Sequence, residues 1–347
     1  MAANNNMGSS GQDRIDLDEM QKAELPKGAR LLVWRAPYNS SFHSLLEVKS
    51  DTIITLKTYN SDTDGLNSVS AERLKQVIAD VKTLAPADDM GLVFWSHSSG
   101  WMQRTSRAET PQRRGFGLDH GQIMSITDLA NALQGNHFSF IWFDSCFMGT
   151  VEVMYQLRNV ADLIVASPAE TPWDGMPYHI TLPLLFAADT PDLRGAIDAT
   201  YDYDLNTLNE SCPVTLTLTD CSQLDALASA TAKLYASANP LPDDFDPQLF
   251  ARPTDFTSAS APYPSILFDL DQYVEAIASS DELLNEWRTA FHRAVTYEVH
   301  SSMIWRTLPI NRCCGLTTFV PSIANYDLSA YGYDELEWTK YTITNTD

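Results

Sequence analysis

His97 and Cys146 are the side chains of this sequence best suited to nucleophilic chemistry. Each closes a strongly apolar run, GLVFWSH over 91–97 and FSFIWFDSC over 138–146. An imidazole beside a thiol can take its proton, let the sulfur attack a carbonyl carbon, and return the proton to a leaving amine. Cys146 reads as the passage from a strand into a helix, where the partial positive charge of a helix N-terminus favours a thiolate. The amides of Ser98 and Cys146 are candidates for an oxyanion hole, and Ser98 needs no side-chain role for it. Asp144 lies two positions before Cys146 and shares its strand face. A buried carboxylate there would select a cation and bind guanidinium with two bonds. Asp174, in the stretch WDG, is a candidate second acid.

Each of these residues also has a plainer reading. A cysteine in apolar sequence often packs as a small hydrophobe. A histidine after a strand is often a satisfied structural group. Asp144 can cap a strand end, and Asp174 can be a turn residue. His120, in LDHG, and His179 compete as bases. His43, His137, His292 and His300 have no motif around them and read as structural.

The elements that must position these residues follow from periodicity. Residues 30–36 and 52–58 read as strands, and Ala71 to Leu84 carries apolar residues at helical spacing with Ser70 as N-cap. Strands at 91–97, 138–143 and 162–167 alternate with helices at 125–133 and 151–157. Such alternation predicts an α/β fold with a largely parallel sheet covered on both faces. In such a sheet, active sites gather beyond the C-terminal strand ends. Three of these ends carry polar sequence: SHSSGW, DSCFMG and SPAETPWDGMPY. Beyond about residue 190, helices are expected at 193–209, 222–237, 266–278 and 281–300, with strands at 213–219 and 315–321. The polar opening reads as a disordered linker over 1–25, which leaves 26–347 as one domain.

Composition narrows the partners. With 23 basic and 45 acidic residues, the net charge of −22 argues against nucleic acid and suits cationic substrates. No apolar run is long enough to span a bilayer. The 5 cysteines include no CxxC pair, so no structural zinc site is expected. Cys212 and Cys221 flank a strand and can face each other, whereas the adjacent Cys313 and Cys314 can pair only under strain. NSDTDGLNSVSAE (60–72) fits a calcium loop poorly, because Ala71 stands where the twelfth-position glutamate belongs, and it reads as a turn before a helix.

Three blocks together resemble the clostripain-like (C11) cysteine peptidases of the caspase-like group: HSSGW at 97–101, FDSCFMGTVEVMYQL at 143–157 and LIVASPAETPWDGMPY at 163–178. Weaker echoes are LDHGQIMSITDLANAL at 118–133, SILFDLDQYV at 265–274 and GLTTFVP at 315–321. The resemblance implies a caspase-like three-layer α/β/α sandwich with C-terminal helical additions. It implies His97 as catalytic histidine, Cys146 as nucleophile, and cleavage after Arg or Lys. It also implies self-processing between the two, where Arg104, Arg107, Arg113 and Arg114 lie in a turn-rich stretch that can equally be an uncut loop. No cofactor is required, although some relatives depend on calcium. The family commonly has Gly after its histidine, and Ser98 departs from that. Export to the extracellular space, periplasm or cell surface is expected, with the signal segment absent from the chain. Two other readings stay open: a non-catalytic binding protein of the same fold, and a small-molecule amide hydrolase with the same dyad.

Overall fold

A computed structural model of the chain describes residues 1–101, 115–187, 190–207, 214–248, 250, 267–304, 308–320 and 332–343. In chain order the strands are β1 Leu31–Arg35, β2 Phe42–Val48, β3 Ile53–Asn60, β4 Gly91–Trp95, β5 Phe116–Asp119, β6 Gln122–Met124, β7 Phe138–Asp144, β8 Ala161–Ala166, β9 Thr215–Asp220, β10 Leu267–Asp269 and β11 Val295–His300, followed by the short strands β12 Met303–Ile304, β13 Leu308–Pro309 and β14 Thr317–Phe319. The helices used below are α1 Asn6–Ser10, α2 Gln12–Lys22, α3 Ser61–Asp64, α4 Ala71–Leu84, α5 Ile126–Leu133, α6 Val151–Leu157, α7 Tyr178–Leu185, α8 Leu193–Thr207, α9 Leu224–Tyr235, α10 Leu270–Ile277 and α11 Asp281–Ala294.

The central sheet runs β11-β9-β8-β7-β4. β4, β7 and β8 are mutually parallel, while β9 is antiparallel to both β8 and β11. Four of the five strands therefore point the same way. One face packs on Leu129 and Leu133 of α5, Val153 of α6, Leu227 of α9 and Trp287 of α11. The other packs on Leu17 of α2, Leu182 of α7 and Ile197 of α8. The three-layer arrangement follows from strands such as β7, where Ile141 and Phe143 turn to one layer and Phe140 and Trp142 to the other.

The opening of the chain corrects the expectation of a disordered linker over 1–25. Residues 1–3 lie between β1 and β4: Ala2 N donates to the Trp95 carbonyl at 3.1 Å, and Ala3 N to the Ala36 carbonyl at 3.0 Å. They thereby join the antiparallel sheet β1-β2-β3 to the central sheet. Helices α1 and α2 follow, with Asp13, Asp16, Leu17 and Met20 buried. The stretch is poor in apolar residues because much of what it buries is asparagine and aspartate held by hydrogen bonds, which hydropathy does not detect.

Other differences are local. Residues 295–300, expected to end a helix, form β11, and Phe42–Val48 adds a strand between the two foreseen. The region past residue 190 is no mere addition, since it supplies β9, β11 and helices of both layers. The 60–72 stretch is a short helix and turn leading into α4, and Asp64 is taken by the buried Arg73 at 2.7 Å. Cys221, Cys313 and Cys314 are free, and Cys212 lies outside the described residues.

Candidate active site

β4 and β7 pair in parallel with Trp95 opposite Asp144. His97 lies two residues past Trp95 and Cys146 two past Asp144, so both leave adjacent strands at the same level. Each is half-buried. The arms are tied together, because the Ser98 hydroxyl donates to the Cys146 carbonyl. The Ser98 side chain thus braces the nucleophile loop. Gly100 has φ +69°, and a Cβ there would come within 2.9 Å of the Phe147 carbonyl, so only glycine allows this approach.

Ser98 bridges Phe116, but the flanking bonds run from Gly117 N to the His97 carbonyl and from Ser99 N to the Gly115 carbonyl. In such a pair the Ser98 amide points away from β5. Phe147, next to the nucleophile, has φ 59° despite its side chain, and its N–H donates to the Ala169 carbonyl at 2.8 Å. The third loop is thereby bonded to the nucleophile loop. Thr171, from that loop, donates its N–H to Cys146 Sγ at 3.4 Å and places its Oγ1 3.6 Å away.

Cys146 is not at a helix N-terminus, which corrects that expectation. Helix α6 begins at Val151, capped by the Thr150 side chain. The dipole falls off within the first turn. Burial pushes the Cys146 thiol up to about 11, and the two Thr171 contacts only partly offset it. Burial lowers the His97 imidazole below its ordinary value. Burial thus disfavours the charged form of both groups. The Trp173 ring stands edge-on to His97 with centroids 6.0 Å apart, and is itself exposed.

Asp144 is buried on the layer that holds α2 and α7, whereas Cys146 packs against the other layer, which corrects the expectation of a shared strand face: β7 ends at Asp144, and the strand alternation does not run on to Cys146. Its Oδ2 accepts the Tyr178 hydroxyl at 2.7 Å and its Oδ1 the Met176 amide at 3.2 Å. A Cβ at Gly175, where φ is +68°, would lie 2.8 Å from Asp144 Oδ2. Burial raises the Asp144 carboxyl to about 6. Asp174 is exposed at the rim, with its carbonyl 3.5 Å from Gln12 Nε2. Two acids that sequence reasoning missed lie deeper. Asp16 of α2 accepts from Gln12 Nε2 at 2.9 Å, and burial and Asp144 raise it to about 8. Asp204 of α8 is 1% exposed, its Oδ1 has no partner among the described residues, and burial, Asp144 and Asp174 raise it to about 8.

The competing histidines stand elsewhere. His120 is in the β5–β6 turn, bonded to Asp119 at 2.7 Å, and His179 packs on Tyr203 beside Glu19. Arg104, Arg107, Arg113 and Arg114 lie outside the described residues. Among the described residues, Glu298, His300 and Cys313 stand together as possible metal ligands. Glu298 and His300 already bond each other at 3.0 Å, and the mixed donor set differs from the all-oxygen set of calcium.

The sequence profile of the clostripain family, Peptidase_C11, matches residues 1–308. The chain belongs to this family. No curated protein matches it closely enough to add to that. Among solved structures, an inactive zymogen C11 protease from Parabacteroides distasonis is 29% identical, with TM-score 0.79, covering 98% of this chain and 95% of its own. A secreted C11 cysteine protease from Bacteroides thetaiotaomicron, in complex with an irreversible peptide inhibitor, is 25% identical, with TM-score 0.78, covering 99% of this chain and 97% of its own. A clostripain from the same species, in complex with the peptide inhibitor BTN-VLTK-AOMK, is 26% identical, with TM-score 0.52, covering 65% of this chain and 97% of its own. This clostripain-family chain is thus a cysteine peptidase with the caspase-like fold, acting on peptides or proteins. Among its described residues, no helix is long and apolar enough to cross a membrane.

Proposed function

We propose that this clostripain-family peptidase hydrolyses peptide bonds after arginine or lysine, with Cys146 as nucleophile and His97 as base. The observation that carries the reading is the pairing of Trp95 with Asp144, which sends His97 and Cys146 out of adjacent strands at one level. Because burial favours the neutral thiol and the neutral imidazole, His97 takes the Cys146 proton as the sulfur attacks the carbonyl carbon. The Ser98 and Cys146 amides hold the oxyanion. The proton on His97 passes to the leaving amine as the C–N bond breaks. Water, deprotonated by His97, then releases the acyl group from sulfur.

Asp144 receives the basic side chain that precedes the cut bond, with Asp174 at the rim. A buried carboxylate partnered, among the described residues, only by Tyr178 and an amide is left to be neutralised by an incoming cation. The relative bound to BTN-VLTK-AOMK has lysine as the last residue of its peptide letters, which agrees with this choice. Self-processing after Arg104, Arg107, Arg113 or Arg114 accords with the existence of a zymogen relative, and export accords with a relative described as secreted. Replacing Cys146 by Ala abolishes cleavage of a fluorogenic peptide with Arg before the cut, and turnover retained by that variant refutes the assignment.

A further inference from the structure

Three consecutive asparagines tie the opening of the chain to β5 and to the arm that carries His97. Asn4 Nδ2 donates to Asp119 Oδ1 at 2.9 Å, and its Oδ1 accepts the Asn39 amide at 2.8 Å. Asn5 Nδ2 donates to the Ala2 and Leu118 carbonyls, both at 2.9 Å, and its Oδ1 caps α1 through Met7 N. Both are buried, at 6% and 7% exposure, and their bonds are structural. Asn6 is exposed, and its Oδ1 lies 2.6 Å from His97 Nε2. The backbone beneath it is fixed, because Ala2 is bonded to β4 and the Ser96 hydroxyl donates to the Ala2 carbonyl at 2.8 Å. A side chain on such a rigid support can orient an imidazole.

We infer that Asn6 is a positioning residue for His97. A carboxamide oxygen only accepts, so its contact requires the proton on Nε2 and leaves Nδ1 as the lone-pair nitrogen. The inference rests on the proposed dyad. The Cys146 proton then moves from Sγ to Nδ1, and the imidazolium keeps its Nε2–H on Asn6. When the amine leaves, that proton passes from Nδ1 to the amine nitrogen, and the original tautomer returns. A neutral acceptor orients the ring without stabilising its charged form as a carboxylate would. Among the described residues no charged group shifts His97, and burial alone lowers it.

The test compares the full-length chain with Asn6→Ala and Asn6→Asp on the same arginine peptide. Loss of a hydrogen bond to a charged group predicts a kcat about 10- to 100-fold lower for Asn6→Ala with KM within about twofold. Asn6→Asp recovers part of kcat and moves the acid limb of the kcat/KM profile upward by about one pH unit. Long-range 1H–15N spectra show His97 as the Nε2–H tautomer in the parent and as a mixture in Asn6→Ala, whether or not peptide is cleaved. Three results overturn the inference: an Asn6→Ala enzyme as fast as the parent or faster, an Asn6→Asp enzyme as slow as Asn6→Ala with an unmoved limb, or an unchanged tautomer. A Cys146→Ala enzyme that still cleaves would instead strike the proposed function, so the two failures are separable.

Discussion

Asp271 of α10 and Asp204 of α8 are both acids drawn in from solvent, and the fold treats them in opposite ways. Asp271 accepts from Arg288 Nε at 2.7 Å and Nη2 at 3.0 Å, and also from Arg312. Glu275 shares the same two arginines at 3.1 and 2.7 Å. Burial alone would raise the Asp271 carboxyl, but the two arginines outweigh it and hold the group below its ordinary range. Asp204 has acids rather than arginines around it, and with Asp16 is raised to about 8. The paired network fastens α10 to α11 and to the chain near Arg312. The unpaired set lies beside Asp144, close to the candidate nucleophile, where a cation arriving with substrate would supply the missing charge. One region uses acids for stability, and in the proposed reading the other gives up stability to keep acids available for a cation.

The sharpest way to break this comparison is at Asp144. Asp144→Ala removes a buried carboxylate from the proposed cation site, worth about 3–4 kcal/mol in such settings. The expected outcome is a kcat/KM for the arginine peptide lower by roughly 100- to 1,000-fold, mostly through KM, with Cys146 alkylation by iodoacetamide unchanged. A loss below about tenfold would place basic-residue recognition elsewhere.

The next effect tests the paired side. Arg288→Ala leaves Asp271 short of a partner and lowers the unfolding free energy by about 2 kcal/mol near pH 7 in urea titrations. The depressed Asp271 carboxyl contributes stability above the ordinary carboxylate value and loses it as pH falls through its own lower value. The penalty therefore shrinks in acid, and a penalty constant with pH would count against the ion-pair account.

The smallest effect has the opposite sign. A carboxyl raised to about 8 gives its full stability below the ordinary value near 4 and loses it as pH rises through 8. Asp204→Asn, which cannot ionise, should stabilise the free enzyme by about 1 kcal/mol or more near pH 8.5 and leave it unchanged near pH 3.5, below both values. Destabilisation at both values would mean that Asp204 is partnered in solution.

Much of the frame was legible in order along the chain. The apolar runs ending at His97 and Asp144 read as buried strands, which the structure pairs as neighbours, and Ser70, as expected, caps α4 through Arg73 N. Local periodicity failed where two patterns abut. Helix α11 ends at Ala294, but VTYEVH continues without Gly or Pro, and its pairing with β9 makes it a strand. It failed again at the chain's opening, whose order rests on asparagine and aspartate contacts with distant segments.

The sequence by itself marked the side chains proposed to act here, a thiol, an imidazole and an acid two positions before the thiol, because residue type is written locally. Only the tertiary structure decided their state. Thr171 contacts the sulfur, Asn6 reaches the imidazole from 91 positions away, and Asp16 and Asp204 gather behind Asp144. Burial and long-range contact set protonation, and neither exists until the chain has folded.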